Sequence, residues 1–277
     1  MKVRIWGTRG STPISSLDCS TFGGNTTCVT VTSKNGIFVV IDSGTGIRDL
    51  GSHLLQDLPI DLHLLYTHYH WDHIQGFPFF VPAFIPGNNI KIYGQTKDGI
   101  TVKDVLEKRL MSPPNFPVPM NVMGANLEFQ ELSDRGEIIF DSNFKVKYAP
   151  LFHPNGVVGF RFEDSGSVFT FLTDVEHTSD LEPADEPLEL SKNAEVVAYD
   201  CQYTPDEYLT RVNWGHSTYE AGLKLIEKAN ARKLLMIHHD PAHNDEKIRE
   251  MEMSAKSLAK GMSLHVEAAY EGLEFEI

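Results

Sequence analysis

Apolar and polar positions alternate from the second residue of the chain. Val3 and Ile5 interleave with Lys2 and Arg4, predicting a strand that ends at the turn Gly7-Thr8-Arg9-Gly10-Ser11-Thr12-Pro13. Asn25 to Thr32 alternates again, and Gly36 to Ile41 reads as its buried hairpin partner, terminating at Asp42-Ser43-Gly44-Thr45-Gly46. Ile74, Phe77 and Phe80 suggest a short helix. Ile90 to Tyr93 is a further strand, and Val102, Val105, Leu106 and Leu110 form a helical face. The proline-rich stretch Ser112 to Pro119 reads as a surface excursion, because strand signals resume at Leu127. Phe144 to Phe152, Val157 to Phe162, Val168 to Leu172 and Ala194 to Tyr199 predict successive strands of a second sheet. Thr218 to Ala229 and Ile248 to Ala259 are amphipathic helices, and Leu264 to Ala268 and Leu273 to Ile277 are strands. Two packed sheets with helices outside satisfy every apolar face. The expected fold is therefore α/β, a four-layer αββα sandwich of two mixed sheets, in a single domain spanning residues 1–277. Internal repeats, heptad arrays and low-complexity tracts are absent from the sequence.

Candidate chemistry concentrates behind the apolar run Leu62 to Tyr66. There Thr67-His68-Tyr69-His70-Trp71-Asp72-His73 packs three imidazoles and a carboxylate into one short segment. His68 and His70 are two apart, so in extended backbone they point to one side. Asp72 and His73 fall on the turn into the next helix, where they face a second point. Neutral imidazole and carboxylate suit zinc and other divalent ions, and two sub-clusters suggest two ions.

H-x-H-x-D-H after an apolar strand resembles the signature of the metallo-β-lactamase superfamily, whose members share an αββα sandwich with a metal site along one edge. Partner motifs succeed it in sequence order: Tyr148 to His153, Phe169 to Asp174, Trp214 to Thr218, and Leu234 to His239. The resemblance implies a first metal position held by His68, His70 and His153, and a second held by Asp72, His73 and His238, with Asp174 bridging both. His238 closes its strand, as the superfamily's last ligand does; a one-residue slip would select His239. Three protein ligands per ion leave a position for water or substrate, the pattern of a catalytic site. A bridged pair can hold a hydroxide between the ions and stabilise charge on a transferring phosphoryl group, and Asp72 could accept its proton.

Gly215-His216-Ser217-Thr218 resembles the H-S-T element of the ribonuclease Z branch, in which the histidine protonates the leaving group or stabilises the transition state. Ser217 or Thr218 is the expected N-cap of the next helix. Asp42 is expected to orient His68 or His70 through the distal ring nitrogen. His243 is expected in a loop near the site mouth, and His53, His63, His177 and His265 have no such context. The glycine-rich turns at Gly7 to Ser11 and Gly44 to Gly46 admit two readings, phosphate-cradling amides or plain tight turns.

Charge narrows the substrate. The 277 residues carry 38 Asp plus Glu against 24 Lys plus Arg, a net charge of −14. A protein that grips a long polyanion normally shows a basic stripe, whereas bases here are scattered, as at Lys103, Lys108 and Arg109 or Lys145 and Lys147. Long nucleic acid is disfavoured. The ribonuclease Z branch also carries a long arm for tRNA after its second ligand motif, and about ten residues between Gly159 and Phe171 leave no room for it. True β-lactamases typically use Cys where Asp174 stands, and thioesterases and lactonases that share the seven ligands generally lack the H-S-T helix start.

The expected activity is thus a dinuclear metal-dependent phosphodiesterase acting on a small phosphodiester such as a cyclic nucleotide. Alternatives are a ribonuclease Z-like RNA 3′-processing endonuclease, a lactone or thioester hydrolase, and a non-catalytic metal sensor. Zinc is the default ion, with manganese or iron also compatible with N/O ligands. No segment approaches the roughly 18 uninterrupted apolar residues of a membrane helix. Cys19, Cys28 and Cys201 form no framework, so a reducing compartment, the cytoplasm, is expected. Homodimeric assembly stays open.

Overall fold

Fourteen strands pair into two seven-stranded sheets in the computed structural model, which describes residues 1–178, 181–262 and 264–277. The first sheet contains β1 (Lys2–Gly7), β2 (Cys28–Thr32), β3 (Phe38–Ile41), β4 (Asp61–Leu65), β5 (Asn89–Gln95), β6 (Asn126–Leu132) and β14 (Glu274–Glu276), ordered β14-β1-β2-β3-β4-β5-β6. The second contains β7 (Gly136–Ile139), β8 (Phe144–Leu151), β9 (Val157–Asp164), β10 (Ser167–Leu172), β11 (Val196–Asp200), β12 (Lys233–Ile237) and β13 (His265–Ala268), ordered β13-β12-β11-β10-β9-β8-β7. Strands β3 to β6 run parallel, as do β10 to β13, and the remaining pairs are antiparallel.

The inner faces meet in one core. Val3, Ile5, Val29, Val31 and Ile41 from the first sheet pack with Val146, Phe160, Phe162, Phe169, Phe171 and Ile237 from the second. Outside the second sheet lie α4 (Asp185–Ser191), α6 (Tyr219–Lys228) and α7 (Asp245–Leu258), covering Leu172, Val197, Leu234 and Met236. Outside the first lie α1 (Ile47–Leu54), α2 (Trp71–Ile74) and the helix 102–110, covering Val40, Leu62, Leu64 and Ile92. This is the αββα sandwich read from the alternation pattern.

Several boundaries differ for local reasons. The pairing of β2 starts at Cys28 rather than Asn25, because Asn25 and Thr26 turn to meet the loop at Thr8 and Arg9. The helix after Asp72 stops at Ile74; beyond it, prolines at 78 and 82 leave only two short 3₁₀ turns, Phe77–Phe79 and Val81–Phe84. Helix 102–110 starts as α3 (Val102–Asp104), capped by Thr101, and widens to a π turn over Val105–Leu110. Thr218, not Ser217, caps α6 by accepting from the Ala221 amide, and α7 begins at Asp245, three residues earlier than its apolar spacing, because Asn244 supplies the cap.

Parallel pairing of β3 with β4 and of β10 with β11 and β12 brings their C-terminal ends to one edge of the sandwich. Antiparallel pairing through β9 brings the end of β8 there too.

Candidate metal centre

Seven side chains converge at that edge in two groups. His68, His70, His153 and Asp174 offer ligand atoms within 4.8 Å of one another, and so do Asp72, His73, Asp174 and His238. The loop after β4 delivers His68 and His70, α2 delivers Asp72 and His73, and the ends of β8, β10 and β12 deliver one each. Asp174 faces both groups with different oxygens. Its Oδ1 lies 3.8 Å from His68 Nε2 and 3.6 Å from His153 Nε2, while its Oδ2 lies 3.1 Å from His73 Nε2 and 3.3 Å from His238 Nε2. Asp72 Oδ2 is 3.2 Å from His73 Nε2 and 3.4 Å from His238 Nε2, and His70 Nδ1 is 3.2 Å from His153 Nε2. Ligands held about 2.0–2.2 Å from a tetrahedral ion stand roughly 3.3–3.6 Å apart. The observed separations straddle that range.

The donor set passes a second test. His68 Nε2, His73 Nε2, His238 Nε2 and Asp174 Oδ2 are buried and have no hydrogen-bond partner among the described residues. Buried polar atoms are rarely left so, and four orphans aimed at two points fit a pair of cations. Burial holds His68, His70 and His153 below the ordinary imidazole range, hence neutral and ligand-ready. For His73 burial acts the same way, but Asp174, Asp72 and Asp42 outweigh it and raise the ring. His238 is likewise desolvated, yet Asp174, Asp72 and Asp200 push it up to about 9.

The far side of each ring is tied down. Asp42 Oδ2 meets His73 Nδ1 at 2.8 Å, while the same carboxylate accepts the Thr67 amide and hydroxyl. This corrects the expectation that Asp42 orients His68 or His70: Thr67 Oγ1 reaches His68 Nδ1, at 3.1 Å. His153 Nδ1 donates to the Gly215 carbonyl at 2.7 Å, and His238 Nδ1 donates to Gln202 Oε1 at 3.0 Å. His239 turns away, its Nε2 donating to the Ala269 carbonyl, and lies outside both groups. His243 is buried rather than at the mouth, bonded to Glu207 at 2.9 Å. Three strand-end residues, Asp42, Asp174 and His238, adopt left-handed backbone with φ of 58°, 55° and 65°. That conformation is uncommon outside glycine and clusters at functional sites.

Both glycine-rich turns prove to be plain turns. The Thr8 and Arg9 amides bond the Asn25 carbonyl, Gly10 bonds the His239 carbonyl, and Ser11 donates to Asp72 Oδ2 at 2.7 Å. Gly44 and Gly46 bond the Thr27 and Thr26 carbonyls, and the Thr45 amide the Thr26 hydroxyl. From Thr8 to Ser11 and from Gly44 to Gly46 no amide is left for a phosphate. The first turn nevertheless serves the site, because Ser11 orients Asp72.

His216 stands beside these two groups in a third that overlaps them: Asp174, Asp200, His216 and His238 also offer ligand atoms within 4.8 Å of one another. Its Nδ1 lies 2.9 Å from Asp200 Oδ2 and 3.9 Å from Asp174 Oδ1, and its ring stacks on His238. Asp200, at the end of β11, was not singled out by sequence. It is fully buried and accepts from four donors: His216 Nδ1 and the Asp174 amide on Oδ2, the Gln202 and Ser217 amides on Oδ1. The signal that could have found it is the one that marks Asp174, a carboxylate closing an apolar strand.

Residues 38–239 match the β-lactamase superfamily domain. The chain belongs to this superfamily. It is a metal-dependent hydrolase of that fold, whose members use dinuclear sites. Curated relatives include Ribonuclease Z of Pediococcus pentosaceus, 22% identical over 69% of this chain and 74% of that protein. Ribonuclease Z of Limosilactobacillus fermentum is 26% identical over 62% of this chain and 67% of that protein. The metallo-β-lactamase fold protein YhfI from Bacillus subtilis superposes with a TM-score of 0.72 at 18% identity, covering 100% of this chain and 98% of that one. The short form of human tRNase Z gives 0.69 at 18% identity, with 100% and 99% covered. At these identities the structural likeness speaks to the fold. Among the described residues no helix is long and apolar enough to cross a membrane.

Proposed function

We propose that this hydrolase is a phosphodiesterase acting on a small phosphodiester, with His68, His70 and His153 holding one divalent ion, Asp72, His73 and His238 a second, and Asp174 bridging. The observation that carries the reading is the Asp200–His216 pair set against Asp174. Hydrolysis of a lactone or thioester has less need of a separate proton donor beside the ligand groups.

When bound, a pair of divalent ions supplies ionised water near neutral pH and offsets charge on the phosphoryl oxygens. The chain's own residues do the rest. Asp72, fixed by the Ser11 amide, is placed to accept a proton from the attacking water. Asp200 accepts from His216 Nδ1 and so fixes the ring, whose Nε2 makes no hydrogen bond among the described residues. That nitrogen is free to donate to a departing alkoxide.

RNA 3′ processing is the competing reading, supported by the curated relatives named Ribonuclease Z. Against it stand the net charge of −14 and the segment between His153 and Asp174. That segment is the β9–β10 hairpin, closed at Ser165-Gly166, with no protruding arm. A panel of bis-p-nitrophenyl phosphate, 2′,3′- and 3′,5′-cyclic nucleotides, a lactone, a thioester and a tRNA precursor with a 3′ trailer separates these readings. Turnover confined to the lactone or thioester overturns the proposal, and efficient trailer removal without small-diester turnover favours the competitor.

A further inference from the structure

Three exposed aromatic rings flank the ligand segments: Trp71 between His70 and Asp72, Phe152 before His153, and Trp214 two residues before His216. Trp71 is 80% exposed although its neighbour Asp72 is buried. A single exposed ring is ordinary on a protein surface; Trp71 is set apart by lining a groove next to the ligand segment. The surroundings of these rings differ in charge. The cavity behind Phe152, about 580 Å³, carries Glu176 and Glu182 and no lysine or arginine in its lining. On the Trp71 side a groove of about 290 Å³ runs between Tyr69 and Trp71 and the helix 102–110, lined also by Lys97, Asp98, Ile100 and Arg109.

That volume is at the lower end of small-molecule sites. Lys97 and Arg109 form no ion pair among the described residues, in a chain with 14 more acidic than basic side chains. The groove thus sets two cations against one carboxylate, Asp98, with which neither pairs, and the balance favours an anion. Lys97 also ties the groove to the metal centre. Its Nζ lies 2.8 Å from where a Cβ on Gly156 would sit, and the adjacent Asn155 Nδ2 approaches His70 Nε2 at 3.4 Å.

We propose that this groove receives the nucleoside of a nucleotide substrate that carries a second phosphate besides the scissile diester. The base stacks on Trp71, the second phosphate pairs with Arg109 and Lys97, and Asp98 accepts from a sugar hydroxyl or base N–H. This deepens the phosphodiesterase reading and rests on it for the scissile bond. Stacking of a base on an exposed ring tolerates any base, so selectivity falls on the presence of a nucleoside rather than on its identity.

Three esters with one leaving group test the idea in the metal-loaded enzyme: ethyl p-nitrophenyl phosphate, p-nitrophenyl thymidine 5′-phosphate, and its 3′-phosphorylated form. The wild type should rank them in rising order of kcat/KM. Trp71→Ala should compress the thymidine-over-ethyl ratio by roughly 10-fold or more through KM, and Arg109→Gln should remove the gain from the 3′-phosphate alone. Equal kcat/KM for all three esters, or ratios unchanged in both variants, overturns the proposal. A protein that retains two metals yet cleaves none of the esters removes the phosphodiesterase reading instead. The groove is then judged by titrating thymidine 3′,5′-bisphosphate into Trp214→Phe, which keeps Trp6 and Trp71, and into the double variant Trp71→Phe/Trp214→Phe, which keeps Trp6 alone: saturable quenching in the first and not in the second supports it, and equal or no quenching in both refutes it.

Discussion

Asp200→Asn is the substitution that most directly interrogates the proton donor. The carboxylate accepts from four donors, three of them backbone amides that cannot move away. An asparagine of the same shape offers one oxygen and one NH₂. If its oxygen stays with the Gln202 and Ser217 amides, the NH₂ faces His216 Nδ1 and the Asp174 amide. His216 must then surrender its Nδ1 proton or rotate, and the charge-assisted hydrogen bond that fixes its ring is gone. A hydrogen bond to a charged group is worth about 1.5–3 kcal/mol, which at 1.36 kcal/mol per decade is roughly a 10- to 150-fold loss in kcat. The Asp174 amide also loses its acceptor inside the protein, adding about 1–3 kcal/mol of destabilisation. Steady-state kinetics on a nucleotide diester and on bis-p-nitrophenyl phosphate, with metal content measured in the same preparation, provide the assay. The loss should be large for the poor alkoxide leaving group and small for p-nitrophenolate. Two metals retained with equal losses on both substrates would refute the role given to the pair.

Other perturbations draw on the same geometry. His216→Ala should keep both metals while lowering kcat on a nucleotide ester by roughly 10²–10⁴, with a smaller defect on p-nitrophenyl esters; full activity on both would reduce His216 to a packing residue. Asp174→Ala should empty or disorder at least one metal position, and a structure with both ions undisturbed would remove its bridging role. Gly10→Ala would place a Cβ 2.4 Å from the His238 ring, so elemental analysis should show weakened retention of one ion per chain; unchanged stoichiometry after dialysis would contradict the tight fit.

The site was legible where it is local or where one strand end announces it. The segment 67–73 is contiguous, and Asp174 and His238 close apolar strands in an order that resembles the superfamily's ligand motifs; it is that resemblance, added to the strand ends, that marks them. Asp200 closes a strand in the same way, but its partner His216 lies across a loop and meets it only in space. The partner of Asp42 depends on register. Val39 pairs with His63 and Ile41 with Leu65, which puts Asp42 beside Thr67 and in reach of the His73 ring returning from α2. Sequence spacing cannot supply that return path. The helix α1 does carry helical spacing, at Ile47, Leu50 and Leu54, but it is only eight residues long, follows Gly44 and Gly46 and holds Gly51, so the segment reads as a turn. The glycine-rich turns illustrate the converse: available amides are visible in sequence, but the acceptors that consume them are brought from Asn25, Thr26, Thr27 and His239 by the fold.

Charge balance at the site leads to a test that needs no substrate. Asp42, Asp72, Asp174 and Asp200 are all buried, and no lysine or arginine pairs with any of them among the described residues. Isolated buried carboxylates are costly; two divalent ions carry the matching charge. Without ions the only counter-charges in contact are imidazolium rings, and His73 and His238 are the two raised by these carboxylates. A histidine whose folded value is raised contributes stability below its unfolded value near 6.5 and loses it as pH rises through the folded value, about 9 for His238. For that ring alone the difference amounts to about 3 kcal/mol as an order of magnitude. Chelated protein should therefore lose several degrees of Tm between pH 6.5 and 9, while metal-loaded protein, whose rings are held neutral by the ions, should change little over the same window. His238→Gln should flatten the chelated profile. A chelated protein whose Tm is flat or rises across that window would show that the carboxylates are neutralised by some other means, and the charge argument for two ions would fall with it.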